Sequence, residues 1–192
     1  LAVGVPGTVK GLDQALSKYG SMSREQVMAP AIKLASNGFI LQSGDVDILN
    51  DGIKKFSNQE NVTKIFLNKS KKNFKSGDRL VQKNLANSLS LISKIGQSAF
   101  YEGSLSKQIV AASKINNGIL SQNDFARYTV KESEPVVCSY RDYTVLSSPL
   151  PGGGTTLCQM LNILEGYKLS DLGFHTSASL HFMLSSMLYA YS

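Results

Sequence analysis

Tyr143-Thr144-Val145-Leu146, then Pro149-Leu150-Pro151-Gly152-Gly153-Gly154, then Leu157-Cys158-Gln159-Met160-Leu161-Asn162-Ile163-Leu164-Glu165 is the stretch on which the fold reading turns. The first four residues are β-branched, aromatic or aliphatic, a composition that suits a pleated, half-buried strand. Two prolines and three glycines follow, and neither a strand nor a helix tolerates that run. Leu157, Met160, Leu161 and Leu164 then restore one helical face at once. On the N-terminal side, the region 128–147 has few helix signals and a second extended candidate at Val136-Val137, with a turn expected near residues 139–142. A strand pair, a glycine loop and a helix predict a mixed α+β class.

The rest of the chain reads as mostly helical. Asp13 to Tyr19 completes a short helix stopped by Gly20, and Ser23 with Gln26 three residues later has the form of a capping box opening the next. Pro30 should break a continuous helix, so a short turn is expected before it, with a fresh helix starting at Pro30, carrying Ile32, Leu34 and Ala35 inward and ending at Gly38. Ile48, Leu49, Ile53 and Phe56 mark a weakly amphipathic helix over 45–56. A polar connection follows, with Lys64-Ile65-Phe66-Leu67 as a short strand inside it. Leu85, Leu89 and Ile92 mark another helix; Leu105, Ile109 and Ala112 mark the one after, which Gly118 should terminate. Ser121 followed by Asp124 starts a short turn of helix through Phe125. Leu180, Met183, Leu184, Met187, Leu188 and Tyr191 line one face of a last helix that runs to Ser192 without a stop signal, and Leu1-Ala2-Val3 carries neither an initiator Met nor a signal pattern, so both chain ends are read as cut. No linker argues for two domains.

Composition narrows the function classes. The 192 residues, 42% of them hydrophobic, suit one soluble domain with a sizeable core, and no apolar run approaches the roughly 20 residues that span a bilayer. The net charge of +6 raises the question of nucleic acid, because Lys69, Lys71, Lys72, Lys75 and Arg79 form a basic stretch. That stretch also holds Asn68, Ser70, Asn73, Ser76 and Gly77, and a single aromatic, Phe74, to stack on a base, so it reads as a solvated loop and no nucleic-acid partner is expected. Cys138 and Cys158 are too few for a metal knuckle or a disulfide framework. They could pair if their strand and helix meet, but isolated buried thiols are the default expectation.

Residues able to do chemistry are scarce. His175 and His181, the only histidines, stand six apart, whereas two ligands on one helical face need three or four, so both read as surface or packing residues. No Gly-x-Ser-x-Gly elbow is present. Gly4-Val5-Pro6-Gly7 lacks the dinucleotide spacing, and Pro6 removes one backbone N–H, so it reads as a turn into a helix. The run Gly152-Gly153-Gly154 admits two readings: backbone N–H groups aimed at an anion at a helix start, or freedom for a sharp turn. No residue of this chain is assigned a catalytic, cofactor-binding or metal-ligating role.

Four signatures spread along the chain carry a resemblance. They are Gly4-Val5-Pro6-Gly7-Thr8-Val9-Lys10-Gly11-Leu12; Ala29-Pro30-Ala31-Ile32-Lys33-Leu34-Ala35 with Gly38-Phe39; Phe100-Tyr101-Glu102-Gly103; and residues 149–154 followed by Gln159-Met160-Leu161-Asn162-Ile163-Leu164-Glu165. In this order and spacing the chain resembles the middle and later part of the large subunit of bacterial gamma-glutamyltranspeptidases. The resemblance implies a piece, 1–192, of an N-terminal nucleophile hydrolase with an αββα sandwich. It implies transfer of the γ-glutamyl group of glutathione and related compounds to water or an amino acceptor, through an acyl-Thr intermediate and without metal or organic cofactor. The implied partner is the small subunit freed by self-cleavage of the same precursor, and the implied location is periplasmic or secreted. Relatives of the same fold acting on poly-γ-glutamate or β-lactam side chains, and a non-catalytic helical scaffold, are the alternatives. In the family the nucleophilic Thr precedes a His and a strand, whereas Thr155-Thr156 precedes a helical pattern, so neither is the nucleophile. The substrate-gripping Arg and the nucleophile would fall outside residues 1–192. Two departures from the family pattern are the loop at residues 149–154, which usually reads Pro-Pro-Ser-Ser-Gly-Gly, and Ser133, where an Arg is usual.

Overall fold

Every helix that the sequence marks with a capping box starts at that box. Ser23 opens α2 (Arg24–Asn37), its hydroxyl accepting from the Gln26 N–H while the Gln26 side chain accepts from the Ser23 N–H. Ser121 opens α8 (Gln122–Arg127) in the same way with Asp124, and the Ser121 hydroxyl and N–H, both donating, hold the Asp124 carboxyl below the usual carboxylate range. These reciprocal bonds satisfy donors that a helix start otherwise leaves unpaired. The computed structural model describes residues 3–67 and 72–192, so Asn68, Lys69, Ser70 and Lys71 of the basic stretch lie outside the described residues.

The sequence reads as one domain piece; the structure groups its residues into two compact units, Leu1–Val130 and Lys131–Ser192. In the first, α1 (Thr8–Tyr19) ends at Gly20, and α2 follows, tied to it by an Arg24–Asp13 ion pair of 2.5 Å. Strand β1 (Phe39–Ile40) pairs antiparallel with β2 (Arg79–Leu80), placing Phe39 opposite Leu80. Between them run α3 (Ser43–Phe56) and α4 (Glu60–Phe66). After β2 come α5 (Lys83–Ile95), α6 (Gln97–Tyr101), α7 (Ser104–Ile115) and α8. The second unit holds the hairpin β3 (Val136–Tyr140) and β4 (Tyr143–Ser147), then α9 (Gly154–Glu165), a 3-10 turn (Leu169–Leu172) and α10 (Ser177–Ala190).

Two expectations fail in the first unit, each for a packing reason. Helix α2 runs unbroken through Pro30, although an interior proline forfeits one helical hydrogen bond and costs on the order of 3 kcal/mol. Pro30 lies on the exposed side, and the helix is held at its start by the capping box and near its end by Ala35, whose carbonyl accepts from the Gln82 N–H leading into α5. Ala35 is buried and Ile32 half-buried, as expected, but Leu34 is 53% exposed and lies off the inward face. Residues 64–67, expected as a strand, belong instead to α4 and its C-terminal cap. Val62, Ile65 and Phe66 share one helical face, and Lys64 pairs with Glu60 one turn back at 2.8 Å.

Two apolar clusters fill this unit. Leu41, Phe74 and Leu80 form the first, with Val46, Leu49 and Phe66 packed against them. Phe74 is thus a core side chain. The Arg79 guanidinium donates to the carbonyls of Gly38 (3.0 Å) and Asn37 (3.3 Å), satisfying carbonyls at the end of α2. Tyr101, Val110 and Phe125 form the second cluster, with Val5, Val9, Phe100, Ile109, Leu120 and Tyr128 around them.

In the second unit the turn expected at residues 139–142 is the two-residue hairpin Arg141-Asp142. Both residues have positive φ (48° and 68°), the left-handed geometry that matches the twist of the flanking strands. Helix α10 turns its Ser179, Phe182 and Ser186 face inward, Phe182 lying 4.3 Å from the Tyr167 ring centroid. Its apolar face stays uncovered within the chain: Leu184 is 63% and Leu188 71% exposed. Among the described residues no helix is long and apolar enough to cross a membrane.

Candidate functional site

Two of the signature motifs, about ninety residues apart in sequence, meet at one tyrosine. The Tyr101 hydroxyl donates to the Pro6 carbonyl at 2.7 Å and accepts from the Lys10 backbone N–H at 3.1 Å. Lys10 stands in the first turn of α1, where backbone donors lack intrahelical partners and where Gly7 offers no side-chain cap. Tyr101 therefore caps α1 from across the unit. Its ring stacks on Tyr128 (centroids 5.6 Å apart, 5° between planes), and the Lys10 ammonium donates to the Tyr128 carbonyl at 2.6 Å while lying 5.3 Å from the Tyr101 ring centre. A Cβ at position 7 would overlap the Tyr128 hydroxyl, which is why the motif needs glycine there. Burial pushes the Tyr101 hydroxyl above the usual tyrosine range, the hydrogen bond from Lys10 acting in the opposite sense.

The junction fixes the loop at residues 4–7 to α6 and α8. Tyr101→Phe keeps the stacking but leaves the Lys10 N–H and Pro6 carbonyl without this partner. We expect a loss of about 1–2 kcal/mol, since Pro6 is exposed enough for water to replace part of the bond. The urea midpoint of the complete protein measures it, and an unchanged midpoint would show that the hydroxyl does not hold the loop.

In the second unit, the Pro149–Gly154 region is built for close approach. Gly154 is buried, and a Cβ on it would overlap the Ser148 carbonyl oxygen and stand 3.0 Å from the Ser147 Cβ. None of the three glycines takes a positive φ, so the geometry shows close approach at Gly152 and Gly154, a role distinct from both the anion reading and the sharp-turn reading of the run. Thr155 and Thr156 occupy the first turn of α9. His175 stacks on Phe174 with ring centroids 3.9 Å apart in the turn before α10, and His181 meets the Phe182 ring edge-on inside it. The structure does not bring the two histidines to one shared contact.

Cys138 and Cys158, expected as separate thiols, form a disulfide with a Cα–Cα distance of 6.0 Å. The hairpin register explains the pairing. Alternation along β3 turns Val136, Cys138 and Tyr140 to one side, and α9 lies on that side with Cys158 buried. The hairpin turn is fixed to the other end of the helix: the Arg141 N–H donates to Glu165 Oε1 at 3.0 Å and its guanidinium to the Tyr167 carbonyl at 2.6 Å. Spacing in the sequence carried no signal for this bond, because strand register and helix phase jointly decide it.

A family model described as Gamma-glutamyltranspeptidase matches residues 1–192. The chain belongs to the gamma-glutamyltranspeptidase family. It is 46% identical over its whole length to a glutathione hydrolase proenzyme of Pseudomonas sp. (strain A14), and 40% to that of Escherichia coli (strain K12), covering 33% of each. It superposes on the crystal structure of Helicobacter pylori gamma-glutamyltranspeptidase with a TM-score of 0.94 at 39% identity, over all of this chain and 55% of that one. The chain thus spans about a third of the length of the curated relatives it matches. The α+β class read from the sequence holds, and the helices and short strands are those of a gamma-glutamyltranspeptidase segment of the N-terminal nucleophile hydrolase fold.

Proposed function

We propose that the protein carrying this chain transfers the γ-glutamyl group of glutathione and related γ-glutamyl compounds to water or to an amino acceptor. The single observation that carries the reading is 46% identity to a glutathione hydrolase proenzyme with no part of the chain left unmatched. In the mechanism proposed, a Thr freed by self-cleavage attacks the γ-carbonyl with its hydroxyl, its own amine taking the proton. The resulting ester is then resolved by water or an amine. The nucleophile and the carboxylate-binding residues belong to parts outside residues 1–192, and this chain supplies helices and a hairpin of the large subunit.

The small subunit of the same precursor is the proposed partner. The proenzyme form of the relatives supports it, as do the uncovered apolar faces: Leu184 and Leu188 on α10, and the paired Val137 and Leu146 on the outer face of the hairpin, 60% and 66% exposed. A periplasmic or secreted location is proposed on the Cys138–Cys158 disulfide, since such bonds persist in oxidising compartments.

The complete protein should cleave a γ-glutamyl anilide and leave the α-linked isomer intact, because recognition is through the γ-linked glutamyl group. Initial rates of aniline release on the two isomers decide it. Comparable rates would overturn the assignment, and selective release of a β-lactam side chain would move the protein to the acylase reading of the same fold.

A further inference from the structure

We propose that the Cys138–Cys158 disulfide is a thiol-reversible staple that holds the hairpin on α9. Among the described residues, both apolar clusters of buried side chains lie in the first unit. Among the described residues of Lys131–Ser192, the apolar side chains that are buried are Cys158 and Leu164, and the disulfide is one of them. A two-stranded hairpin is marginal by itself, and a covalent link to the helix takes over part of the cost of closing the loop between them. Beside the disulfide, half-buried side chains of the hairpin such as Val136 and Val145 pack toward α9, and exposed hydrogen bonds join Arg141 to Glu165 and Tyr167.

The bond is also approachable. A groove of about 550 Å³ opens onto it, lined by Val136, Val137, Cys138, Cys158, Gln159 and Asn162. A small thiolate entering there attacks one sulfur, forming a mixed disulfide and releasing the other cysteine as a thiolate. The second sulfur of a dithiol then attacks the mixed disulfide and leaves as a cyclic disulfide. The dithiol is oxidised by two electrons, and its two protons end on Cys138 and Cys158. Once the bond is open, closure of the loop between the two cysteines, 20 residues apart, must again be offset by weak contacts. The order of the second unit is thereby coupled to the thiol balance of its compartment.

The test is amide exchange in the complete folded protein, with and without dithiothreitol, read by mass spectrometry alongside iodoacetamide labelling of each cysteine. On reduction, amides at 136–147 and 154–165 should exchange faster, by on the order of 100-fold for a loop of this length. Amides at 101–125 of the first unit should not change. The paired substitution Cys138→Ala with Cys158→Ala should exchange like the reduced protein and be indifferent to dithiol. Labelled cysteines with unaltered exchange would overturn the staple, and a bond that resists dithiol until the whole protein unfolds would overturn its reversibility. If the paired variant does not fold, reduction of the unsubstituted protein still decides between these outcomes. Neither readout depends on γ-glutamyl transfer, so the failure of one proposal is distinguishable from that of the other.

Discussion

Replacing Phe125 with Ala should lower the stability of the protein by about 3–5 kcal/mol, the range for emptying a fully buried aromatic site. Phe125 has no exposed surface, and its ring lies 6.2 Å from Phe100 and 6.3 Å from Tyr101, centroid to centroid. The surroundings resist collapse into the void. Tyr101 is held by its bonds to Pro6 and Lys10 and by stacking on Tyr128, while α7 is held beside it by Gln122, whose amide donates to Ser106 Oγ at 2.6 Å. A cavity there is therefore retained and its full cost is felt. Ile115→Ala, at a position 82% exposed, should shift stability by no more than about 0.5 kcal/mol and serves as the control. Urea denaturation of the complete protein followed by tyrosine fluorescence gives both numbers. A Phe125→Ala cost near that of Ile115→Ala would mean that the second cluster is not a core.

Purified residues 1–192 alone should be inactive on a γ-glutamyl anilide and either oligomeric or loosely packed. The chain exposes 13786 Å² of surface. Two separate compact bodies of the sizes of its two units would expose roughly 10,500 Å² by the usual scaling with mass. The excess, on the order of 3,000 Å², is the size of an obligate interface. It is apolar at Leu184 and Leu188 on α10, at Tyr191 just after it, and at Val137 and Leu146 on the hairpin. Left without a partner, such patches associate with one another. Light scattering on a sizing column and dye binding to exposed apolar surface report the packing half. Leu184→Glu with Leu188→Lys should reduce association without restoring activity. A monodisperse monomer with a cooperative thermal transition would refute the packing half, and turnover that survives removal of contaminating enzyme would refute the catalytic half.

What the sequence determined about this protein was local or cumulative. The two capping boxes, Ser23 with Gln26 and Ser121 with Asp124, act between residues three apart, so they read the same in the chain and in the fold. The same holds for the stop at Gly20 and for the hairpin turn between β3 and β4. Family membership was legible because several motifs agreed in order along the whole chain. Tertiary structure decided the rest, through partners too distant for any spacing rule. Pro30 stays inside α2 because the helix is held by α5, and residues 64–66 wind into α4 because Phe66 packs on the cluster of Leu41, Phe74 and Leu80. Tyr101 caps a helix that begins more than ninety residues earlier, and Cys138 reaches Cys158 only once strand register and helix phase coincide. On α10 the periodicity identified an apolar face correctly but not its direction. Within this chain the serines Ser179 and Ser186 turn inward, because their hydroxyls bond to the helix's own carbonyls, of Thr176 and Met183, and so cost little to bury, while the large side chains are left for a surface the chain does not itself provide.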